Sequence, residues 1–134
     1  MRIIGLYGHS GCGKSPTMYH LKRLLREASG SSEPRPDSEA PETFEYKGMI
    51  ICVAPGGDNE QVMMENVKYF EEKKCHIAFS SCRCKGKPVE VLDRFAKSQG
   101  VGVEWVPKSY EYNLSDATKE QCNKETAQFL LEMI

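Results

Sequence analysis

The sequence contains no apolar run long enough to cross a bilayer. The longest such run covers residues 49–55, whereas a membrane-spanning helix needs about 20 apolar residues. The N-terminus leads directly into a strand-like segment and leaves no room for a signal sequence. We therefore expect a cytoplasmic protein that has no membrane partner.

An excess of charge of either sign is also missing. The chain of 134 residues carries 18 basic and 19 acidic side chains, for a formal net charge of -1. Without a basic surplus there is no general electrostatic attraction for nucleic acid, and we expect none as a partner. The length suits one domain spanning residues 1–134, because a chain of this size buries roughly two thirds of its unfolded surface.

The cysteines are not spaced as in a zinc site. Cys82 and Cys84 are separated by one residue, and no second pair with metal-site spacing accompanies them, so zinc binding is disfavoured. The cysteines are scattered and several fall within strand-like or helix-like segments, which is typical of reduced thiols.

Close to the N-terminus lies a glycine-rich segment that ends in lysine and serine. Residues 8–15 read Gly-His-Ser-Gly-Cys-Gly-Lys-Ser and fit the pattern Gly-x-x-x-x-Gly-Lys-Ser/Thr. Its glycines free successive backbone N–H groups to surround an anion at the positive end of a helix dipole. A strand-like segment at 2–7 precedes the motif and a helix-like segment at 16–28 follows it, which is the order that such a loop requires.

On this motif and its context, the chain resembles the P-loop NTPase superfamily. The resemblance implies that the Lys14 ammonium reaches the β- and γ-phosphates of a nucleotide and that the Ser15 hydroxyl ligates Mg²⁺. The residues that we expect to contact the nucleotide are Gly8, Ser10, Gly11, Cys12, Gly13, Lys14, Ser15, Thr17, Lys108 and Tyr110.

Pro16 departs from the pattern of this superfamily. Many P-loop proteins have at this position a residue whose backbone N–H donates to the α-phosphate, and proline has no N–H. Proline is tolerated in the first turn of a helix, so the fold is expected to form. We expect nucleotide affinity to fall about tenfold or more unless Thr17 compensates.

Strand-like and helix-like segments alternate along the rest of the chain. Strands are expected at 43–46, 48–54, 75–80 and 101–106, and helices at 59–74, from Pro88 onward and at 115–134. This alternation predicts an α/β protein with a three-layer α/β/α P-loop fold. The sheet is expected to contain four parallel strands and a short antiparallel edge strand, joined to its neighbour by a turn at Lys47-Gly48.

Residues 29–42 are expected to form a flexible loop. They contain three prolines and no large apolar side chain, and such a segment cannot become ordered by burial. The loop is either a linker or a lid that closes over a bound nucleotide.

The middle of the chain also resembles a small GTPase-type domain, in which the central strand ends in Asp-x-x-Gly. The matching residues are Ala54-Pro55-Gly56-Gly57, so the expected acid is replaced by alanine. Asp58 is the nearest substitute for a metal-binding carboxylate, although with Gln61 it also fits a helix N-cap. Of the guanine-reading Asn/Thr-Lys-x-Asp motif only Lys108 is present, which disfavours guanine specificity, and Tyr110 is a candidate for stacking on a base.

In parallel sheets, ligands bind beyond the carboxyl ends of the strands. We therefore expect the loops at 8–15, 55–58, 81–87 and 107–113 to meet there, with catalytic roles for Lys14, Asp58 and Arg83 and metal ligation by Ser15 and Asp58. The expected function is Mg²⁺-dependent binding and slow hydrolysis of a nucleoside triphosphate, with ATP favoured over GTP. Two alternatives remain: a small-molecule kinase, and a non-catalytic nucleotide-sensing module that contacts a protein partner.

Overall fold

The structure, a computed structural model, describes residues 1–30 and 35–134. These residues form a five-stranded sheet in the order β2-β3-β4-β1-β5, and four helices. β1, β3, β4 and β5 are parallel, and β2 runs antiparallel to β3 at the edge. The elements are β1 (Arg2–Tyr7), α1 (Lys14–Ala28), β2 (Glu42–Tyr46), β3 (Met49–Ala54), α2 (Glu60–Lys73), β4 (Ile77–Cys82), α3 (Lys87–Ser98), β5 (Val103–Pro107) and α4 (Asp116–Glu132). The predicted α/β class with a mostly parallel sheet is confirmed.

Helices cover both faces of the sheet. Successive side chains of a strand point to opposite faces, so that Ile4 of β1 packs with α1 and α4 and Ile3 packs with α2 and α3. β4 is buried along its whole length, as expected for a parallel strand covered on both faces. In the described part of the chain, no helix combines the length and the apolar character that crossing a membrane requires.

The order of the strands decides which residues lie near the Gly8–Ser15 loop. β4 lies between β1 and β3, and its Ser81 is paired with Leu6 of β1. The end of β3, which carries Ala54, is therefore one strand further from the loop than the end of β4.

The buried side of α1 is more polar than the apolar pattern predicts. Helical spacing of Met18, Leu21, Leu24, Leu25 and Ala28 predicts Lys22 and Arg26 on the solvent side of the helix. Both are buried. The Lys22 ammonium lies 3.6 Å from the Glu42 carboxylate, and Arg26 donates to the two oxygens of that carboxylate at 2.8 and 3.1 Å. Burial lowers the pKa of Lys22, and the charge of Glu42 opposes this shift without cancelling it.

The described part of the expected 29–42 loop lies along α1. Lys22 Nζ donates to the carbonyl oxygens of Ser38 and Ala40 at 3.1 and 2.6 Å. Arg23 donates to both carboxylate oxygens of Asp37 at 2.6 Å. We call residues 37–42 the strap. Polar contacts, rather than apolar burial, hold the strap against α1. Residues 31–34 of the expected loop lie outside the described residues. The flexibility of the loop stays a prediction.

The charges beneath the strap lead to an expected pH dependence of stability. Burial acts to raise the pKa of Glu42, but the hydrogen bonds and charge of Arg26, followed by the charge of Lys22, outweigh it and leave the pKa lowered. As the pH falls below about 4.3, the ordinary glutamate pKa, the unfolded chain takes up a proton before the folded chain does. The free energy of unfolding therefore falls as the pH drops through the lowered pKa.

We expect Glu42→Gln to lower the free energy of unfolding by about 1–3 kcal/mol at neutral pH. The loss should be smaller at acid pH, where the wild-type carboxylate also becomes protonated. Urea unfolding of both proteins at neutral and acid pH measures the difference. A loss of the same size at both values would show that Glu42 contributes no proton-linked stability.

Helix α4 buries a different face from the one that the sequence predicts. The sequence predicts a stripe of Cys122, Thr126, Phe129, Leu130 and Met133. The structure buries Asn123 and Leu130 but leaves Phe129 53% exposed. Asn123 explains the difference, because its side-chain oxygen accepts from the hydroxyls of Thr17 and Tyr110 at 3.4 and 3.0 Å, and a buried amide needs such partners.

Candidate functional site

The Gly8–Ser15 loop connects β1 to α1. The Gly8 N–H donates to the carbonyl oxygen of Cys82 at 3.2 Å, which fixes the start of the loop to the end of β4. Gly11 and Gly13 have positive φ angles of 78° and 94°, a conformation that glycine adopts without steric cost. The first hydrogen bond of α1 runs from the Thr17 N–H to the Gly13 carbonyl at 3.1 Å.

Between Gly11 and Ser15, four backbone N–H groups of this loop lack an acceptor. Those of Gly11, Gly13, Lys14 and Ser15 form no hydrogen bond within residues 1–30 and 35–134. The unsatisfied N–H groups at the start of a helix carry the positive end of its dipole and favour anions. Pro16 is the third residue of α1. A residue at this position has no acceptor for its N–H within the helix, so proline, which lacks an N–H, loses no helical hydrogen bond there.

The three expected catalytic residues lie together. Lys14 is only 5% exposed, and its ammonium donates to the Gly8 carbonyl at 2.6 Å and to Asp58 Oδ1 at 2.9 Å. Arg83 Nε lies 3.7 Å from the same Asp58 oxygen. Asp58 is therefore shared between two cations.

Asp58 is available for this contact because it does not cap α2. The N-cap of α2 is Asn59, whose side-chain oxygen accepts from the Val62 N–H at 2.9 Å. The predicted alternative, in which Asp58 is the cap, is wrong by one residue. The loop between β3 and α2 can approach the end of β4 because residue 57 is glycine. A Cβ there would overlap with the carbonyl oxygen of Ser81.

A cavity of about 330 Å³ adjoins these residues. Its walls include Lys14, Ser15, Asp58 and Glu39, the last contributed by the strap. The Tyr19 hydroxyl donates to Glu39 Oε1 at 2.7 Å. Burial, followed by the hydrogen bond to Glu39, raises the pKa of Tyr19 to about 12, so the phenol remains a donor at neutral pH. The sequence does not identify Glu39, since no motif marks it.

The expected metal ligands Ser15 and Asp58 line the same cavity, and Ser15 Oγ donates to the Pro55 carbonyl at 3.3 Å. Among the residues described, no three His, Cys, Asp or Glu side chains are grouped to hold a metal ion. Mg²⁺ requires less, because it is usually bound through one or two carboxylates and completed by waters and phosphate oxygens. The hydroxyl and carboxylate donors of this cavity fit Mg²⁺.

The chain was also compared with known proteins. No protein-family model, curated protein or solved structure matches it.

Of the ten expected nucleotide contacts, only Lys14 and Ser15 are in the walls of this cavity, and Thr17, Lys108 and Tyr110 form a separate group. Thr17 is fully buried, with its hydroxyl bonded to Asn123 and its N–H used within α1. Tyr110 bonds the same Asn123 oxygen, and its hydroxyl lies where a Cβ on Gly13 would be. The Lys108 ammonium is 4.5 Å from the centre of the Tyr110 ring, and burial lowers the pKa of Lys108. This group supports the Gly8–Ser15 loop from behind.

The cysteines near the loop have different environments. Cys12 is buried, and its N–H donates to the His9 carbonyl at 3.3 Å, whereas Ser10 is exposed. Burial raises the pKa of the Cys82 thiol to about 12. Cys84 is exposed, with Sγ 3.7 Å from His9 Nδ1. A buried and an exposed thiol do not suit one shared metal site.

Ser81 is a further residue of this region that no motif identifies. It shares a strand face with Phe79, which packs in the core beneath α1. Its hydroxyl is the one buried side-chain N or O atom, within the described ranges, that has no hydrogen-bond partner. An unpaired hydroxyl in the interior costs about 1–3 kcal/mol.

We expect Ser81→Ala to raise the free energy of unfolding of the ligand-free protein, by up to about 1–3 kcal/mol. The matched control is Ser80→Ala, because the Ser80 hydroxyl donates to the Ser81 carbonyl at 2.9 Å and its loss should be destabilising. Urea unfolding of the three proteins measures both effects. A Ser81→Ala protein less stable than wild type would show that the hydroxyl has a partner in solution.

Proposed function

We propose that the protein binds the Mg²⁺ complex of a nucleoside triphosphate at the Gly8–Ser15 loop, and that its sheet and helices form the three-layer P-loop fold of the P-loop NTPase superfamily. One observation carries the proposal. Four N–H groups without acceptors lie in and just before the first turn of a 15-residue helix, and the Lys14 ammonium bonds the Gly8 carbonyl of the same loop. An anion at that point gains hydrogen bonds, the helix dipole and a full positive charge.

The ion pair with Asp58 holds the Lys14 ammonium in position while no nucleotide is bound. Lys14 is nearly buried, and Asp58 at 2.9 Å balances its charge. The β- and γ-phosphates replace Asp58 as the partner of Lys14 when the nucleotide binds. Arg83, 3.7 Å from Asp58, is then near enough to stabilise charge on the transferred phosphoryl group. Hydrolysis is expected to be slow, because Ala54 provides no carboxylate at the end of β3.

The nucleoside is assigned to a second cavity of about 360 Å³, lined by residues that include Pro16, Tyr19 and Asn123. Tyr19 lines this cavity and bonds Glu39 in the wall of the first one. A nucleotide that spans both cavities places its phosphates at the loop and its base toward α4. We propose ATP over GTP, because the segment around Lys108 carries no carboxylate in the position that reads guanine in GTPases.

A second candidate function is a nucleotide-sensing module without turnover. Asp58 is held by two cations, so binding of phosphate to Lys14 leaves it with Arg83 alone and alters the loop that leads into α2. A protein partner that contacts this loop would detect the bound nucleotide. The small-molecule kinase has no comparable observation in its favour.

A thermal-shift series tests the proposal with ATP, GTP and their diphosphates, each with and without Mg²⁺. A ligand at 100 times its Kd adds about 2.7 kcal/mol of stability, which corresponds to roughly 10 °C for a domain of this size. We expect the largest rise with ATP and Mg²⁺. Phosphate release then separates a hydrolase from a sensing module, and the absence of a shift with every nucleotide would remove both.

A further inference from the structure

Two carboxylates line the cavity beside Lys14, and their surroundings differ. Asp58 is neutralised by Lys14 at 2.9 Å and Arg83 at 3.7 Å. The described partner of Glu39 is the neutral phenol of Tyr19, which bonds Oε1 at 2.7 Å. Glu39 therefore has no ion-pair partner among the described residues, whereas Asp58 has two.

The second carboxylate oxygen of Glu39 lies close to Gly56. A Cβ added at Gly56 would be 3.1 Å from Glu39 Oε2, and Gly56 and Ser15 are both in the cavity wall. Oε1 is thus used to hold the side chain in place, and Oε2 remains for a ligand. The absence of a side chain at Gly56 leaves room for that oxygen.

The backbone on both sides of Glu39 is fixed to α1. The Lys22 ammonium bonds the carbonyls of Ser38 and Ala40, the two residues that flank Glu39. Lys22 is only 2% exposed, and burying an ammonium is costly unless it is well paired. These two hydrogen bonds offset part of that cost, and they hold the strap so that a carboxylate stands beside the first turn of α1.

We propose that Glu39 is the carboxylate that binds Mg²⁺ together with the Ser15 hydroxyl, and that it takes the part of the acid missing at Ala54. This inference rests on the proposed nucleotide-binding function. Carboxylate, hydroxyl and phosphate oxygens are the donors that Mg²⁺ prefers. Asp58 then serves as the exchangeable partner of Lys14 and is not the principal metal ligand.

The test is the affinity of a fluorescent ATP analogue, measured with Mg²⁺ and with EDTA. For the wild type, we expect binding to be tighter with Mg²⁺. Glu39→Gln keeps an oxygen that can accept from the Tyr19 hydroxyl but loses the charge. It should reduce the gain in affinity from Mg²⁺ by about tenfold or more. Affinity in EDTA should be unchanged or higher. Glu39 is exposed, so the variant should fold.

Glu60→Gln is the matched control, because Glu60 is an exposed carboxylate in the first turn of α2 and should retain the full gain from Mg²⁺. Tyr19→Phe keeps the carboxylate but removes its anchor, and it should lose part of the gain. A Glu39→Gln protein that retains the wild-type gain would overturn the role of Glu39 while nucleotide binding stands. A wild-type protein that binds no nucleotide in either condition would overturn the proposed function and this inference with it.

Discussion

Replacement of Lys14 by methionine is expected to weaken binding of ATP with Mg²⁺ by about 100-fold or more. The ammonium bonds the Gly8 carbonyl of the loop that carries the four free N–H groups, and a hydrogen bond to a charged group contributes about 1.5–3 kcal/mol. Two such bonds, to the β- and γ-phosphates, correspond to at least two powers of ten in affinity. Equilibrium binding of a fluorescent ATP analogue measures the change.

Methionine is chosen because Lys14 is nearly buried and a side chain of similar length preserves the packing of its methylene groups. The control is Lys85→Met, which removes an exposed lysine from the neighbouring loop and should leave affinity within about twofold, since exposed charges interact weakly. If Lys14→Met bound the analogue as tightly as the wild type, the phosphates would have to lie elsewhere. The circular dichroism spectrum of each variant establishes that it is folded.

Replacement of Gly57 by alanine is expected to lower the free energy of unfolding by at least about 3 kcal/mol, toward the upper end of overpacking effects. The added Cβ would overlap with the carbonyl oxygen of Ser81, and both groups belong to backbone that cannot move independently. The loop after β3 would have to withdraw from the end of β4. Thermal unfolding should show a midpoint lowered by roughly 10 °C or more.

Gly56→Ala is the matched comparison for Gly57→Ala. Its Cβ would meet Val62 Cγ1 at 3.0 Å and Glu39 Oε2 at 3.1 Å, and these side-chain atoms can move aside. We expect a loss of about 1 kcal/mol or less. If the two alanine variants were equally stable, the close approach of Gly57 to β4 would not be a feature of the protein in solution.

The features that the sequence predicts well depend on neighbouring residues. β1 covers the predicted residues, because its apolar run is bounded by a glycine-rich loop. The turn between β2 and β3 has positive φ at Lys47 and Gly48, 51° and 75°, as a two-residue hairpin connection requires. The Gly8–Ser15 loop and the start of α1 are likewise properties of one short segment.

The features that the sequence does not predict depend on residues far apart in the chain. The pairing of Leu6 with Ser81 places β4 beside β1, and no local pattern specifies such a pairing. Glu39 reaches the cavity through Tyr19, which is 20 positions away. Asp58 and Asn59 can each cap a helix, and their roles are separated by the contact of Asp58 with Lys14 and by the hydrogen bond from the Val62 N–H to Asn59.

The lysine buried under the strap has a consequence for protein engineering. Lys22 is buried on the same helix as Leu21 and Leu25, and an attempt to enlarge the core of α1 would replace it by leucine. That change would add hydrocarbon, but it would leave the carbonyls of Ser38 and Ala40 without their donor. In a helix of this kind, a redesign that scores only apolar area would release the segment that carries Glu39.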